Sequence, residues 1–365
     1  MSRPKDTSRA STPQFRKEDR REVRYRLSIA CALVLSWTFW LVPGPIRGWI
    51  ADRFGDAFYR LSSTYPRNVR DNVATVQRYI GDTTNDPEPL VRSIFRTSAR
   101  NFMDLITIPR QPDSTFNNSV KLVRGSWETL DGALEGNKGA ILVTGHVGCF
   151  DFIGPVITTR GYRMTIVTGR TTSRFIFDGV TWLRGSRGAE LVEPTPSGVR
   201  SVMRALRRNE LAVFLTDRDF FQNGHDVVFM GEPTTLPPGP VRIARETGAP
   251  LVPIFTRRTA KGHELSIGEP FHVERTDDLR ADVARGMERL VRALEAGISS
   301  SLDQWVMFQR VWPEQKRVPV RVFPVGSPLE SELLERVATA LPEIDRKGRS
   351  SSETSPPREH RAPGG

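Results

Sequence analysis

Four short apolar runs rich in β-branched residues place the strongest constraint on the fold of this chain. They are GAILVTGH at 139–146, RMTIVTG at 163–169, ELAVFLTD at 210–217 and APLVPIF at 249–255. Segments with helical spacing separate them, such as SGVRSVMRALRRNE at 197–210 and GPVRIARETG at 239–248. Strands that alternate with helices form a mostly parallel sheet with helices on both faces. The sequence therefore predicts an α/β fold with a mostly parallel central sheet covered by helices.

The rest of the chain divides into an arm, an apolar segment, a folded domain and a tail. Residues 1–26 are polar and basic without apolar periodicity, which predicts a mobile arm. Between about residues 58 and 110, apolar residues recur at three- and four-residue spacing, which predicts helices. We expect one folded domain over residues 51–340 and a disordered Ser- and Pro-rich tail over residues 341–365.

Three interpretations are open for the apolar segment at residues 27–50. Its uncharged part is roughly 16 residues long, which is shorter than the ~20 that a perpendicular membrane-spanning helix needs. A signal peptide would need a small-residue cleavage site, which does not follow, whereas a buried core helix would also fit this length. Trp37, Trp40 and Trp49 are placed as interfacial aromatic residues, and basic residues precede the segment. We therefore expect an N-terminal apolar anchor helix that lies in the membrane surface or marginally spans the bilayer.

Charge and cysteine content exclude several classes of protein. Cys31 and Cys149 are the only cysteines, too few for a disulfide framework or a four-cysteine zinc site, and we expect no metal ligands. The net charge of +11 favours an anionic partner, which is nucleic acid, lipid headgroups or a phosphorylated cofactor. The basic residues have neither interleaved stacking aromatics nor a finger spacing. We therefore expect an anionic lipid surface as a partner and no nucleic acid.

The stretch GHVGCFD at residues 145–151 contains the most reactive group of side chains. His146 falls where the predicted strand ends, which is where ligands bind in open α/β sheets. On an unbroken helix, His146 and Asp151 would lie about 140° apart around the axis. Gly145 and Gly148 supply backbone freedom for a turn that brings the two together. A carboxylate beside the imidazole would hold one tautomer, which makes His146 a candidate general base.

GHVGCFD resembles the His-x-x-x-x-Asp block of the glycerolipid and glycolipid acyltransferase superfamily. The resemblance is to the branch of late lipid A acyltransferases and phosphatidylinositol mannoside acyltransferases. Three further blocks match this branch in order: RGSRG at 184–188, the long segment 215–255, and QWVMFQRVWPE at 304–314. The match covers about residues 25–315. Two positions depart from the branch, because Cys149 stands where Asn is common and Gly169-Arg170 stands where Glu-Arg or Tyr-Arg is common.

The resemblance implies a glycerolipid acyltransferase-like fold and a membrane-associated O-acyltransferase at the cytoplasmic face of the cell membrane. It implies transfer of a fatty acyl group from acyl-CoA or acyl carrier protein to a hydroxyl of a glycolipid. The acceptor would be a phosphatidylinositol mannoside or a lipid A-like molecule. The Pro-Glu-Gly-Thr block of the branch that acylates glycerol-3-phosphate and lysophosphatidate is absent from this sequence. No cofactor other than the acyl donor is expected.

The resemblance also assigns the site residues. It makes His146 the general base, Asp151 the residue that orients it, and Asp217 a further member of the catalytic group. An arginine would steady the oxyanion or hold donor phosphates. The residues assigned to substrate binding are Arg184, Arg187, Arg218 and Asp219.

Cys149 supports a competing interpretation, a cysteine hydrolase or thiol-acyl enzyme. His146 is three residues away, and a helix N-terminus would lower the pKa of a thiol placed there. Against it, Asp151 would have to orient a histidine that serves Cys149 within one tight turn. Such partners usually come from distant segments of a chain. We therefore expect Cys149 to be dispensable.

Overall fold

The computed structural model describes residues 13–312, apart from 83–85, 170–172 and 221, and it describes side chains from residue 21 onward. The described residues all lie within one compact unit. The predicted arm before residue 13, Arg170, the last part of the expected domain at 313–340 and the predicted tail at 341–365 lie outside the described residues.

The apolar runs and the helical segments identified in the sequence form the expected elements. The helices are α1 Pro13–Trp40, α2 Gly44–Leu61, α3 Thr64–Ile80, α4 Glu88–Thr107, α5 Asp113–Asn118, α6 Trp127–Leu134, α7 Phe150–Thr158, α8 Arg174–Gly185, α9 Pro196–Arg207, α10 Gly239–Thr247 and α11 Leu279–Ser299, with short 3-10 turns at Ile108–Arg110 and Leu302–Gln304. The strands are β1 Val120–Arg124, β2 Ala140–Thr144, β3 Met164–Val167, β4 Glu190–Val192, β5 Leu211–Leu215, β6 His225–Phe229, β7 Glu232–Leu236, β8 Leu251–Thr259 and β9 Gly262–Ile267. The four apolar runs are β2, β3, β5 and β8.

Seven strands form one sheet in the order β1-β9-β8-β2-β5-β3-β4. All neighbouring pairs are parallel except β8 and β9, which a two-residue turn at 260–261 joins as a hairpin. Strands β6 and β7 form a separate antiparallel pair. The predicted α/β fold with a mostly parallel sheet is confirmed.

Strand β2 lies at the centre of the sheet, and every one of its residues is buried. Ile141 and Val143 belong to the core cluster on one face, and Ala140 and Leu142 belong to the cluster on the other. Successive side chains of a strand point to opposite faces, so a central strand needs apolar residues at every position. This requirement explains why AILVT is a continuous apolar run.

The N-terminal apolar segment does not form the predicted anchor helix. Residues 13–26, predicted as part of a mobile arm, are the first half of α1, and residues 27–50 are divided between α1 and α2. The backbone breaks at Pro43, and Arg47 donates from Nη1 to the carbonyl oxygens of Phe39 and Trp40 at the end of α1. No helix in the described part of the chain is both long enough and apolar enough to cross a bilayer.

Helices α2 and α4 are in close backbone contact at Gly55. A Cβ atom at this position would lie 2.7 Å from the Cα of Arg96 and 2.8 Å from the carbonyl oxygen of Phe95. The close approach lets the carboxylates of Asp52 and Asp56 reach arginines on α4. Gly55 is therefore a packing requirement.

Gly55→Ala should reduce the free energy of unfolding by about 1–3 kcal/mol, because the added methyl group meets backbone that cannot move without separating α2 from α4. Gly48→Ala is the matched control, since Gly48 lies in the same helix with no atom within 4 Å of its added Cβ. The control should be neutral or should stabilise by up to about 1 kcal/mol. Urea denaturation of both variants checks the prediction, and equal stability in the two would contradict it.

Candidate active site

The register between β2 and β5 brings His146 and Asp217 together. Thr144 pairs with Leu215 at the carboxyl ends of these two parallel strands. The pairing continues one residue further, because the Thr216 backbone N–H donates to the Thr144 carbonyl oxygen at 2.8 Å. His146 and Asp217 each lie two residues beyond the paired ends. The two side chains therefore meet at the edge of the sheet where open α/β folds bind ligands.

The Asp217 carboxylate accepts hydrogen bonds from two other parts of the chain. Its Oδ1 lies 2.8 Å from His146 Nδ1, and its Oδ2 accepts from the His146 backbone N–H at 2.7 Å. The indole N–H of Trp305 donates to the same Oδ2 at 2.9 Å. Burial of the wholly inaccessible Asp217 opposes ionisation, but the His146 ring and these donors outweigh it and lower the pKa of the carboxyl below its usual value.

This arrangement determines which ring nitrogen of His146 can accept a proton. An ionised Asp217 accepts the proton on Nδ1, so the neutral ring carries its lone pair on Nε2. The His146 side chain is 29% exposed, whereas Asp217 is fully buried. His146 is thus placed to take a proton from a bound group through Nε2, while Asp217 stabilises the imidazolium.

Two glycines allow the turn around His146. A Cβ on Gly145 would lie 2.9 Å from the Asp217 Oδ2, so a larger residue would push the carboxylate away. Gly148 has φ +65°, and a Cβ there would lie 2.0 Å from the Thr256 carbonyl oxygen. The positive φ and the close approach to β8 both favour glycine.

Hydrogen bonds with two segments that are distant in sequence hold this turn. Asn101 on α4 donates from Nδ2 to the Gly148 carbonyl oxygen at 2.6 Å. The Gly148 N–H donates to the Gln304 carbonyl oxygen at 3.0 Å, and the Val306 N–H donates to the His146 carbonyl oxygen at 2.8 Å. The peptide groups beside the imidazole are therefore fixed by residues distant in sequence.

Asp151 does not contact the imidazole, so the prediction that it orients His146 is wrong. Asp151 lies in the first turn of α7 and points toward α8, where Arg184 donates to both of its carboxylate oxygens at 2.6 and 3.2 Å. Arg184 also donates from Nη1 to Thr168, just after β3. Sequence spacing suggested Asp151 because it is near in the chain, but adjacent parallel strands bring Asp217 closer in space.

The structure gives Asp219 and Arg187 intramolecular partners that are unrelated to the His146–Asp217 pair. Asp219 accepts from the Gly224 N–H at 2.7 Å and from the Thr235 hydroxyl at 2.8 Å, which closes the loop before β6. Arg187 donates to Asp113 at 2.9 Å and to the Ile108 carbonyl oxygen at 3.2 Å. Both predicted substrate-binding side chains therefore close local structure instead of presenting free groups.

Arg218 differs from the other two predicted arginines. Its guanidinium lies 5.1 Å from the Phe220 ring centroid, and its buried Nε has no hydrogen-bond partner in the described part of the chain. Burial lowers the pKa of Arg218, and the neighbouring Asp217 charge partly offsets this effect. Arg218 directly follows Asp217 in sequence and retains donors for an anion.

Cys149 is buried below the turn, and its environment disfavours a thiolate. The residue is 2% exposed, and burial raises the pKa of its thiol to about 12. A nucleophilic cysteine needs an accessible thiolate. Among the described residues, no group of three or more His, Cys, Asp or Glu side chains is placed to hold a metal ion.

Three further residues hold the site although no motif in the sequence identified them: Trp305, Asn101 and Gln304. Trp305 is 1% exposed, and its indole N–H is one of the donors that hold Asp217. A buried tryptophan needs a partner for its N–H, which was the available signal. Asn101 lies in a helical pattern that carries no such signal.

Comparisons with known proteins agree with the resemblance seen in the sequence. The model of a family described as bacterial lipid A biosynthesis acyltransferase matches residues 13–314. A phosphatidylinositol mannoside acyltransferase of Mycobacterium tuberculosis (strain CDC 1551 / Oshkosh) is 27% identical over 265 residues, which cover 70% of this chain and 81% of that protein. A protein of the same name from Mycolicibacterium smegmatis is 25% identical over 261 residues, covering 70% and 82%.

A solved structure, that of the 1-acyl-sn-glycerophosphate (LPA) acyltransferase PlsC from Thermotoga maritima, aligns with 69% of this chain and 96% of that one. The alignment has a TM-score of 0.31 and 14% identity. This likeness is too distant to carry an argument about the site.

The two cysteines should differ in reactivity toward a thiol-alkylating reagent. In the native protein near pH 8, the exposed Cys31 should be modified, and Cys149 should remain unmodified because it is buried and protonated. Unfolding in urea should expose Cys149 and raise the labelling from one to two thiols per chain. Peptide mass spectrometry identifies the site, and rapid native labelling of Cys149 would contradict the structure.

Proposed function

The chain belongs to the bacterial lipid A biosynthesis acyltransferase family, and from that premise we propose that it is a membrane-associated O-acyltransferase with a glycolipid acceptor. Its relatives are acyltransferases, and so is this protein, which transfers groups other than aminoacyl groups. The proposed reaction moves a fatty acyl group from acyl-CoA or acyl carrier protein to a hydroxyl of the acceptor. The mycobacterial relatives are phosphatidylinositol mannoside acyltransferases by name, which favours a phosphatidylinositol mannoside over a lipid A-like acceptor. The observation that carries the mechanism is the His146–Asp217 pair.

Acyl transfer from a thioester needs a base and no covalent enzyme intermediate. In the proposed step, His146 Nε2 takes the proton of the acceptor hydroxyl as its oxygen attacks the thioester carbonyl. The C–O ester bond forms, the C–S bond breaks, and the imidazolium returns the proton to the departing thiolate. Asp217, which is buried and ionised, stabilises the imidazolium between the two proton transfers.

The transition state also needs donors for the carbonyl oxygen as it becomes negative. We assign this role, or the binding of donor phosphates, to Arg218, because it directly follows Asp217 in the chain and its Nε has no hydrogen-bond partner among the described residues. Helix α7 begins at Phe150, so the positive end of its dipole lies at the end of the turn that carries His146. Arg184 is bound by Asp151 and Thr168, and we assign it to shaping the substrate pocket at the ends of β2 and β3.

The competing cysteine mechanism loses its support in the structure. It requires Cys149 to attack as a thiolate, whereas this thiol is buried and its pKa is raised to about 12. His146 Nδ1 is hydrogen-bonded to Asp217 and not to the Cys149 sulfur. Activation of an acceptor hydroxyl by His146 requires neither an ionised Cys149 thiol nor a contact between His146 and Cys149.

Membrane association is proposed from the exposed apolar residues of α1 and α2. The exposed large apolar side chains on the end of α1, on α2 and between them are Val34, Leu35, Trp37, Trp40, Leu41, Ile46, Trp49, Phe54, Phe58 and Leu61. Trp49 is 62% exposed and Phe54 is 67% exposed. Helices of this kind lie in the membrane interface, with basic residues near the headgroups. The proposed location is the cytoplasmic face of the cell membrane, where a soluble donor and a lipid acceptor meet.

His146→Ala should reduce acyl transfer by at least about 10³-fold, and Asp217→Asn should reduce kcat by about 10²–10⁴-fold, because the first removes the base and the second removes its ionised partner. Cys149→Ser, in the same turn, is the control and should retain most of the activity. The assay supplies acyl-CoA or acyl carrier protein with a purified phosphatidylinositol mannoside acceptor, and mass spectrometry detects the acylated product.

Circular dichroism and urea denaturation must show that the three variants remain folded. Substantial transfer by a folded His146→Ala variant would refute the assignment of the base. Loss of transfer in a folded Cys149→Ser variant would favour the thiol mechanism instead.

The double variant Trp49→Ser/Phe54→Ser should bind anionic lipid vesicles at least about tenfold more weakly, because each buried aromatic side chain contributes about 1.5–3 kcal/mol. The matched control is Val199→Ser/Val228→Ser, which removes apolar side chains that are 39% and 65% exposed on α9 and β6. Vesicle sedimentation measures the binding. Equal loss in both variants would contradict an interface at α2.

A further inference from the structure

A cavity of about 830 Å³ lies among α2, α3 and α4, separate from the His146–Asp217 pair. Five arginines line it, against two carboxylates. The arginines are Arg60, Arg70, Arg92, Arg96 and Arg100. The cavity therefore has a strongly basic wall and a volume within the range of ligand sites, which is about 300–1,000 Å³.

Three of these arginines form a row along α4, and each has an unused edge. Arg92 and Arg96 donate from Nε and Nη2 to Asp56 at 2.8–3.0 Å, and Arg100 donates from the same two nitrogens to Asp52 at 2.6 Å. No described residue accepts a hydrogen bond from the Nη1 of any of the three. The carboxylates on α2 therefore fix the guanidinium planes and leave one donor group of each for a ligand.

The spacing of the row suits an extended anion. The three arginines occur at every fourth residue of α4, so successive side chains are about 6 Å apart along the axis at 1.5 Å per residue. The positions from which the three side chains leave the helix therefore span about 12 Å along α4. A ligand with one phosphate can contact neighbouring members, and a ligand with several anionic groups can follow the row.

The two carboxylates in the cavity do not compete for these donors. Glu88 accepts from Arg70 and, at 2.5 Å, from the Tyr59 hydroxyl. Asp86 accepts from the Glu88 backbone N–H at 3.0 Å at the start of α4. Arg60 is exposed and has no ion-pair partner in the described part of the chain. Arg60 therefore adds a positive charge to the cavity lining that no described carboxylate pairs with.

We propose that this cavity is a binding site for a phosphate ester, with the Nη1 groups of Arg92, Arg96 and Arg100 as its donors. Guanidinium groups bind phosphate through directed, charge-assisted hydrogen bonds. The inference rests on the proposed function, because both an acyl-CoA donor and a phosphatidylinositol-based acceptor carry phosphate esters. The cavity is a second recognition site that holds the phosphorylated part of a substrate away from the reacting atoms.

Helix α4 connects this cavity to the catalytic turn. Arg100, the last arginine of the row, is followed by Asn101, whose amide donates to the Gly148 carbonyl oxygen. The arginine row and a support of the turn are therefore parts of one rigid element. A phosphate held on this wall positions the rest of its molecule relative to the same helix that supports His146.

Ser93→Tyr tests the site without a change of charge, because Ser93 lines the cavity between Arg92 and Arg96 in sequence and a tyrosine side chain would occupy space beside the arginine row. Two probes are used with the full chain: coenzyme A in solution by calorimetry, and phosphatidylcholine vesicles with and without phosphatidylinositol by sedimentation. Ser93→Tyr should weaken the binding of at least one probe by about tenfold or more, as expected for loss of one or two charge-assisted hydrogen bonds. Weaker coenzyme A binding identifies the donor as the ligand, and weaker phosphatidylinositol-dependent binding identifies a lipid headgroup.

Arg204→Gln/Arg207→Gln on α9 is the control for nonspecific charge, because these two arginines are exposed and do not line the cavity. It should leave both affinities within about twofold, because only nonspecific charge is lost. A second variant, Arg92→Lys/Arg96→Lys, retains the positive charges beside Asp56 but removes the Nη1 donors, and it should reproduce the loss if Ser93→Tyr fails to fold.

Unchanged affinity for both probes in the folded variants, or an equal loss in the control, would overturn the inference. Acyl transfer by the unaltered protein is measured in parallel. Transfer without an effect of Ser93→Tyr or the lysine variant on either probe would refute the cavity site alone. Absence of transfer would refute the proposed function and would leave the binding result to be judged separately.

Discussion

The buried carboxylate of Asp217 is the interaction on which the candidate site depends. It receives the imidazole and the backbone N–H of His146 from the end of β2, and the indole N–H of Trp305 from the closing segment of the described chain. A fully buried, ionised carboxylate is stable only when donors replace its lost water. The requirement is mutual, because the carboxylate fixes His146 and His146 helps to keep the carboxylate ionised.

Three glycines permit the close contacts on which the site and its supporting helices depend. Gly145 makes room for the Asp217 carboxylate, and Gly148 permits contact with β8. Gly55 permits contact between α2 and α4, which lets acidic residues of α2 orient the arginines of α4. Helix α4 then contributes Asn101 to the catalytic turn. The packing of the N-terminal helices and the geometry of the site are thus linked through one helix.

Much of the fold could be predicted from the sequence because its signals are local. Continuous apolar runs identified β2, β3, β5 and β8, since strands that are buried on both faces have no polar positions. The helices α3 and α4 followed from their apolar spacing. A single anchor helix over residues 27–50 was wrong because hydropathy does not show that Pro43 and the Arg47 contacts divide the segment between α1 and α2.

The site was harder to predict because it depends on strand order. Sequence patterns place both His146 and Asp217 at the ends of predicted strands, but they do not show that β2 and β5 are neighbours in the sheet. Without that order, the nearer Asp151 was the natural partner for the imidazole. Its actual ion pair is with Arg184, which lies 33 residues further along the chain on α8. The hydrogen bond from Trp305 to Asp217 could not be predicted either, because it joins residues that are distant in the sequence.

The arginines show why residue type alone does not identify a binding group. Arg187 is engaged by Asp113 and a backbone carbonyl oxygen, and it serves the packing of α5. Arg218 has a buried Nε without a partner, although it was indistinguishable from Arg187 in the sequence. Arg96 is intermediate between these two cases. Its Nε and Nη2 bind Asp56, and its Nη1 has no hydrogen-bond partner among the described residues. A guanidinium with one edge fixed and one edge free loses less conformational entropy when it binds an anion than a wholly mobile one. The carboxylates of α2 therefore favour anion binding on α4 through preorganisation, even though they reduce its net charge.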